Sequence, residues 1–251
     1  MFVGHAGLAF AAKRVAPTVS LGTLLLAALL ADLLWPLLVL AHAESFQIRI
    51  GATAVLPLEF LSYPYSHSLL ALAFWAVILA GVRAAFVRST LLTVVTLAGL
   101  VVSHWFLDVI AHTDLPVSPV SDGGIGLGLW GSLPGTLAVE GVLLLAGVAV
   151  YARSTWGANR TGTIGLWALA AAFVAAYVAL VLAQVPQSHG TVLWAAIALW
   201  PFVLAGYLVD ANRTVSLRRD TRFSPEAVRG ATSSHVRRKR ATARGSRARR
   251  I

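Results

Sequence analysis

An all-α membrane bundle of about six helices is the fold class this sequence predicts, on three observations. Apolar residues make up 58% of the 251, charged residues only 12%, and the mean hydropathy is +0.77. Soluble chains carry about a quarter charged residues, so too few polar side chains remain here to cover a water-facing surface. Six apolar runs (18–41, 66–82, 89–112, 134–152, 163–184 and 191–210) come close to the ~20 residues needed to cross a ~30 Å hydrocarbon core. Basic residues sit at alternate ends of these runs, as the positive-inside rule requires. Lys13 and Arg14 precede the first, Arg83 and Arg88 separate the second from the third, and Arg153 and Arg160 separate the fourth from the fifth. The connections on the other side carry only Arg49. The topology expected is a multi-pass protein of the inner (plasma) membrane with both termini cytoplasmic.

Taken in order, residues 1–12 (MFVGHAGLAFAA) are apolar but too short to span. They predict a short N-terminal half-helix, interfacial or half-inserted, ending at Lys13-Arg14. The first span contains Asp32 and Pro36, and the proline should kink it. Ala41-His42-Ala43 has the small-x-small form of a signal-peptide cleavage site, but the preceding stretch is longer than a usual apolar region and holds Asp32, so it reads as a retained span. Between the third and fourth spans, 114–133 is rich in Gly and Pro, lacks basic residues and follows His112 directly, so it is placed to cover a site there. Asp114 and Asp122 in this loop are candidate extra ligands. Its glycines lack the lysine and flanking strand of a phosphate loop.

The chain divides into a membrane-embedded helical domain, 1–211, and a disordered basic cytoplasmic tail, 212–251. From Arg213 onward there are 13 basic residues against two acidic ones, whereas the preceding body has seven basic and eight acidic. Such a composition does not bury a core, and it suits the anionic headgroups of a cytoplasmic leaflet. It lacks the interleaved aromatic residues that would favour nucleic acid. With no cysteine in the chain, thiol catalysis, disulfides and Cys-ligated zinc are excluded, and any metal must sit on histidine and carboxylate.

The chemistry-bearing residues lie within the apolar runs, where an unpaired ionisable group costs several kcal/mol. The third run contains SHWFLDVIAHTD, in which His104, Asp108 and His112 follow one another at i, i+4 and i+8. They share one helical face, and a carboxylate between two imidazoles can ligate or bridge divalent metals. Asp32 lies within the first run, and His67 lies between Ser66 and Ser68 at the head of the second. At 1.5 Å per residue from the arginines, His67 and His104 both stand about 24 Å up, Asp108 about 30 Å and Asp32 about 18–20 Å. These four therefore converge on the outer half of the bilayer as a shared metal site. His5 reaches only about 12 Å on the same scale, and His112 stands at the outer surface. Glu140 in the fourth run is either structural or a supporting residue. His42, His189 and His235 are assigned no role. A structural polar network and a proton or ion pathway use the same residues differently.

The ordered set His5, Asp32, Ser66-His67-Ser68, Ser103-His104, Asp108 and His112 resembles the YdjM-type family of bacterial inner-membrane proteins, described as metal-dependent hydrolases. It is distantly similar to zinc-dependent phospholipase C. The resemblance covers about residues 1–115, and 116–211 matches only as further apolar helices. It implies a divalent metal, zinc with manganese as the alternative, held by Asp32, His67, His104 and Asp108, with His5 and His112 completing the shell or a second site. It also implies Asp32 and Asp108 as catalytic carboxylates, Asp32 serving as ligand or as general base, and hydrolysis of a lipid-like phosphoester drawn from the membrane. Where the family commonly has Pro-Asp-x-Asp, this chain has Ala31-Asp32-Leu33-Leu34. Only the first carboxylate is kept, which counts against a second metal. A transporter, or a membrane scaffold with a degenerate metal site and an interacting tail, are the rival classes.

Overall fold

A computed structural model of the protein describes residues 1–121, 123–183 and 185–215. Asp122, Gln184 and residues 216–251, including His235 and nearly all of the basic tail, lie outside the described residues. The elements run in the order α1 (Val3–Ala12), α2 (Leu21–Ala28), α3 (Leu30–Leu40), β1 (Ser45–Ile48), β2 (Leu58–Ser62), α4 (Pro64–His67), α5 (Leu69–Phe86) and α6 (Leu91–Ala111). They continue with β3 (Leu115–Pro116), β4 (Gly124–Ile125), a 3-10 turn at Leu129–Gly131, α7 (Leu133–Ser154), β5 (Thr155–Gly157), α8 (Arg160–Leu182), α9 (His189–Ile197), α10 (Trp200–Ala211) and β6 (Arg213–Val215). Four single helices (α5, α6, α7 and α8) and the α9–α10 pair are long and apolar enough to cross a membrane. The α2–α3 pair, bent by 57°, makes a sixth. The protein is a helical membrane bundle.

Where backbone polar groups meet hydrocarbon they must be satisfied within the chain, and the sequence supplies a cap at nearly every long helix. Ser20, Ser68, Thr90, Ser132, Asn159 and Ser188 each accept a hydrogen bond from the N–H three residues on, at the starts of α2, α5, α6, α7, α8 and α9. Large apolar side chains such as Phe74, Leu145 and Leu208 remain exposed, as expected of helices that meet lipid. Three two-stranded antiparallel ribbons join the helices at their ends, β1 with β2, β3 with β4, and β5 with β6. The sequence pattern predicted none of them.

The short N-terminal helix expected from the sequence is α1. Eight of its ten residues are buried, and it packs between α7, α2 and α6. Gly7 and Gly147 let the backbones of α1 and α7 touch, because a Cβ on Gly7 would collide with the main chain of Leu143 and one on Gly147 with that of Gly7; small residues permit this close approach in membrane bundles. At the start of α1, Glu140 of α7 accepts from the N–H groups of Phe2 (2.7 Å) and Gly4 (3.2 Å). That carboxylate replaces the missing side-chain cap and meets the positive end of the helix.

The far end of α1 closes on Lys13, the residue from which the depth of His5 is counted. It is buried, and its ammonium donates to Val19 O (2.8 Å) and to Asp210 Oδ2 (2.7 Å). Tyr151 donates to the other oxygen of Asp210 at 2.6 Å, so α1, α7 and α10 meet on one carboxylate. The bend in the first span departs from expectation. It falls at Leu29, about two turns before Pro36, and α3 continues through the proline. The physical reason is a tertiary bond: breaking the helix there frees the Ala28 carbonyl for His104. Removing one partner of a buried ion pair costs about 3–5 kcal/mol, whereas replacing both by apolar residues is often neutral. Asp210→Ala should therefore lower the thermal inactivation temperature in detergent, and the double change Lys13→Met with Asp210→Leu should recover most of the loss.

Candidate metal centre

α6 supplies the axis of the site. Its buried residues include Leu97, Leu100, Val101, His104, Trp105, Asp108 and Ala111, so the two polar groups share the face that packs inward. His104 and Asp108 lie one turn apart with Nε2 3.3 Å from Oδ2. His104 Nδ1 donates to Ala28 O at 2.9 Å. A carbonyl only accepts, so Nδ1 carries a proton, and Nε2 is the ring atom that faces the carboxylates of Asp108 and Asp32. That Nε2 has no hydrogen-bond partner although it is fully buried, which is the condition of a ligand atom.

His112 ends α6 as its C-cap and leaves the helical backbone. Its Nε2 still reaches to 3.8 Å from Asp108 Oδ2, and the side chain is buried. The cover comes from the loop expected to supply it. Leu127 N donates to Val109 O at 2.7 Å and Gly128 N to His112 O at 2.8 Å. Gly124 and Gly126 lie flat on Asp114 and His112, where a Cβ would strike their backbones. The ring of Trp130 then lies 4.4 Å from His112, and Phe60 of β2 lies 5.5 Å from it.

Other elements bring the remaining donors. α1 places His5 Nε2 3.1 Å from Asp108 Oδ1, and its ring stacks on His104 at 3.7 Å. The Met1 amine also donates to Asp108 Oδ1. From α3, Asp32 Oδ1 stands 3.6 Å from His67 Nε2 and 3.7 Å from His104 Nε2. From α4, His67 Nε2 lies 3.9 Å from Asp108 Oδ2. Two overlapping sets can each hold a metal ion, His5–His104–Asp108 and Asp32–His67–His104, with His104 common to both. The residues fit such an ion: imidazole and carboxylate donors suit zinc or manganese, and the surrounding bundle is apolar. Five of the six residues named from the sequence fall in these sets, and His112 lies beside Asp108 but in neither.

Two expected contributors do other work. Ser68 accepts from Ala71 N as the cap of α5, leaving only Ser66 beside His67. Asp114 is exposed and accepts from the Tyr63 hydroxyl through its main-chain oxygen (3.1 Å) and Oδ1 (3.3 Å). Burial, reinforced by this carboxylate, pushes the Tyr63 phenol above its ordinary range, so it stays a donor that ties β2 to the covering loop.

Glu44 is the residue that sequence reasoning missed. It is buried, and its carboxylate accepts from Tyr65 N (2.8 Å), Ser66 N (2.7 Å) and Ser66 Oγ (2.7 Å). Ser66 Oγ is also 2.6 Å from His67 Nδ1. Since the hydroxyl proton goes to Glu44, Nδ1 donates to Ser66 and Nε2 is left free to face the cluster. Histidine ligands of metals are commonly oriented by such a bond. Glu44 arrives there because His42, at φ 56°, takes the left-handed conformation that ends α3, with Ala43 N bonding back to Leu38 O. Its only sequence signal was a lone carboxylate just past a span.

Losing a residue that orients a ligand typically costs 10–100-fold in metal affinity. If the cluster takes up a divalent metal, Glu44→Gln should therefore weaken that binding by about this factor in competition with a chromogenic chelator, while leaving the folded fraction on size exclusion unchanged. No protein-family model, curated protein or solved structure matches this chain.

Proposed function

We propose that this protein is a metal-dependent hydrolase that cleaves a lipid-like (phospho)ester inside the membrane. The observation that carries the proposal is the gathering of four buried imidazoles, the buried carboxylate of Asp108 and the half-buried one of Asp32, where an apolar cavity meets them. Buried ionisable groups in a membrane bundle are costly, and they mark functional sites. The likeness to the YdjM-type hydrolases in the order His5, Asp32, His67, His104, Asp108 and His112 supports the same class. A divalent cation, zinc or manganese, would acidify a water molecule and polarise the ester.

The chain's own residues divide the remaining work. Asp108 has a side chain 2% exposed and faces His5, His67, His104 and His112, so its role is to hold the cation and fix the imidazoles. Asp32 is 25% exposed and lines the cavity, so it is the carboxylate able to take a proton from an attacking water. Glu44 and Ala28 set the tautomers of His67 and His104. The apolar walls keep bulk water away from the ester. In this reading the arginine-bearing end faces the cytoplasm of a bacterial inner membrane, and 212–251 rests on anionic headgroups. Leu34, in place of the family's second aspartate, favours a second reading in which a single-metal site serves a non-catalytic scaffold.

Metal content by plasma mass spectrometry on detergent-purified protein tests the proposal first. Near-stoichiometric zinc or manganese is expected in the wild type and a loss in both His104→Ala and Asp108→Ala. Absence of metal from a folded wild type never exposed to chelator would overturn it. Asp32→Asn should keep the metal and lower kcat on a lipid phosphoester by about 10²–10⁴-fold; a metal-loaded wild type without turnover would favour the scaffold.

A further inference from the structure

The His/Asp cluster lies between two unlike cavities. The larger, about 520 Å³, runs from Asp32, His67, Asp108 and His112 into the space between α8 and the α9–α10 pair. Its far walls are apolar, with Leu180, Val192, Leu199 and Phe202 among them. Ala179, Ala183, Ala195 and Ala198 line the same cavity and are themselves exposed. It therefore opens sideways between α8 and α9, through small side chains, on a surface that otherwise presents Val178, Leu182 and Trp194. The smaller cavity, about 220 Å³, lies on the other side of His112 and Trp130, which line both. Its lining includes Arg49, Thr53, Glu59, Thr113 and Asp114. One wall of the site is thus hydrocarbon-like and the other is polar.

From this division we infer that the substrate is an amphiphile that enters laterally between α8 and α9, seats one acyl chain in the larger cavity, and holds its polar junction at Asp32 and His112. The inference rests on the hydrolase reading for what happens at the junction, but the seating of the chain does not require turnover. The larger volume is that of a site for one ligand of moderate size. A ligand apolar throughout would leave the cluster end unmatched, and one polar throughout would strand the α8–α9 walls. Lipid tails are as apolar as the cavity walls, so a chain arriving from the bilayer gains little from the transfer itself, and selection rests on the volume of the cavity and on the match of the polar junction to the cluster.

Photolabelling of the full chain in lipid nanodiscs provides the test. The probes are two lysophosphatidylcholines with a sixteen-carbon chain, one carrying a diazirine at the chain terminus and one carrying it beside the ester, with labelled residues mapped by mass spectrometry. The terminal diazirine should mark Val192, Leu199 and Phe202, and the other should mark Trp35, one turn from Asp32 on α3, or Tyr63, whose ring lies 5.6 Å from His67, both of which line the cavity. Ala179→Trp and Ala195→Trp, made separately, should each cut labelling of these inward residues at least tenfold, while labelling of lipid-facing Phe74 and Leu145 stays constant. Label confined to outward residues such as Phe74, Leu145 and Trp194, or unaltered by either tryptophan, would overturn the inference. So would the two probes marking the same residues. Inward labelling in a wild type that carries no metal would support the seating of the chain while removing the hydrolase reading.

Discussion

The carboxylate of Asp108 imposes the constraint on which this structure depends. It is almost entirely withdrawn from solvent in the middle of an apolar bundle, where an unpaired charge is one of the most expensive things a protein can hold. The chain surrounds it with polar groups from three directions, of which the Met1 amine and His5 hydrogen-bond to it directly. α1 contributes His5 and the Met1 amine, α4 contributes His67, and α6 itself contributes His104 with His112 at its end. Helices that share no sequence neighbourhood are thereby drawn to one point. The cluster and the bundle are two descriptions of the same packing problem.

A second layer of polar groups makes that point precise. Glu140 holds the start of α1 and so fixes the height of His5. Ala28 O, released by the break between α2 and α3, orients His104, while Glu44 acts through Ser66 on His67. Each of these groups lies on an element other than the one carrying the histidine it directs, or across a turn from it. Hydrogen bonds of this kind are strong where the dielectric is low and costly when left unmade. The histidines are therefore held before any ligand arrives, which is what a metal centre or a polar network requires of its surroundings.

The opposite end of the bundle follows the same rule with different residues. Lys13 and Tyr151 converge on Asp210, and Arg213 donates to Thr155 and to Gly162 O where β5 and β6 pair. These contacts bind α1, α7, α8 and α10 together away from the cluster. Between the two polar ends the packing is close and apolar, with backbones in contact at Gly7 and Gly147. The cavity beside α8 and α9 interrupts that packing, and it opens beside the cluster.

The amino-acid sequence by itself determined the number and place of the long helices, because twenty apolar residues in a row have few other fates. It also determined the inward face of α6, since His104 and Asp108 one turn apart must project together. Composition alone excluded thiol chemistry. Only the tertiary structure decided that His5 meets Asp108, and that Lys13, which local reasoning takes as a surface marker, is buried against a partner nearly two hundred residues away. It likewise decided the bend at Leu29 rather than at Pro36, the burial of His112, and the recruitment of Glu44. Hydropathy and helical period report what a residue does within its own segment. Which carbonyl a histidine bonds, and which carboxylate a lysine meets, depend on elements distant in sequence, and in an apolar bundle those few polar contacts set the geometry of the site.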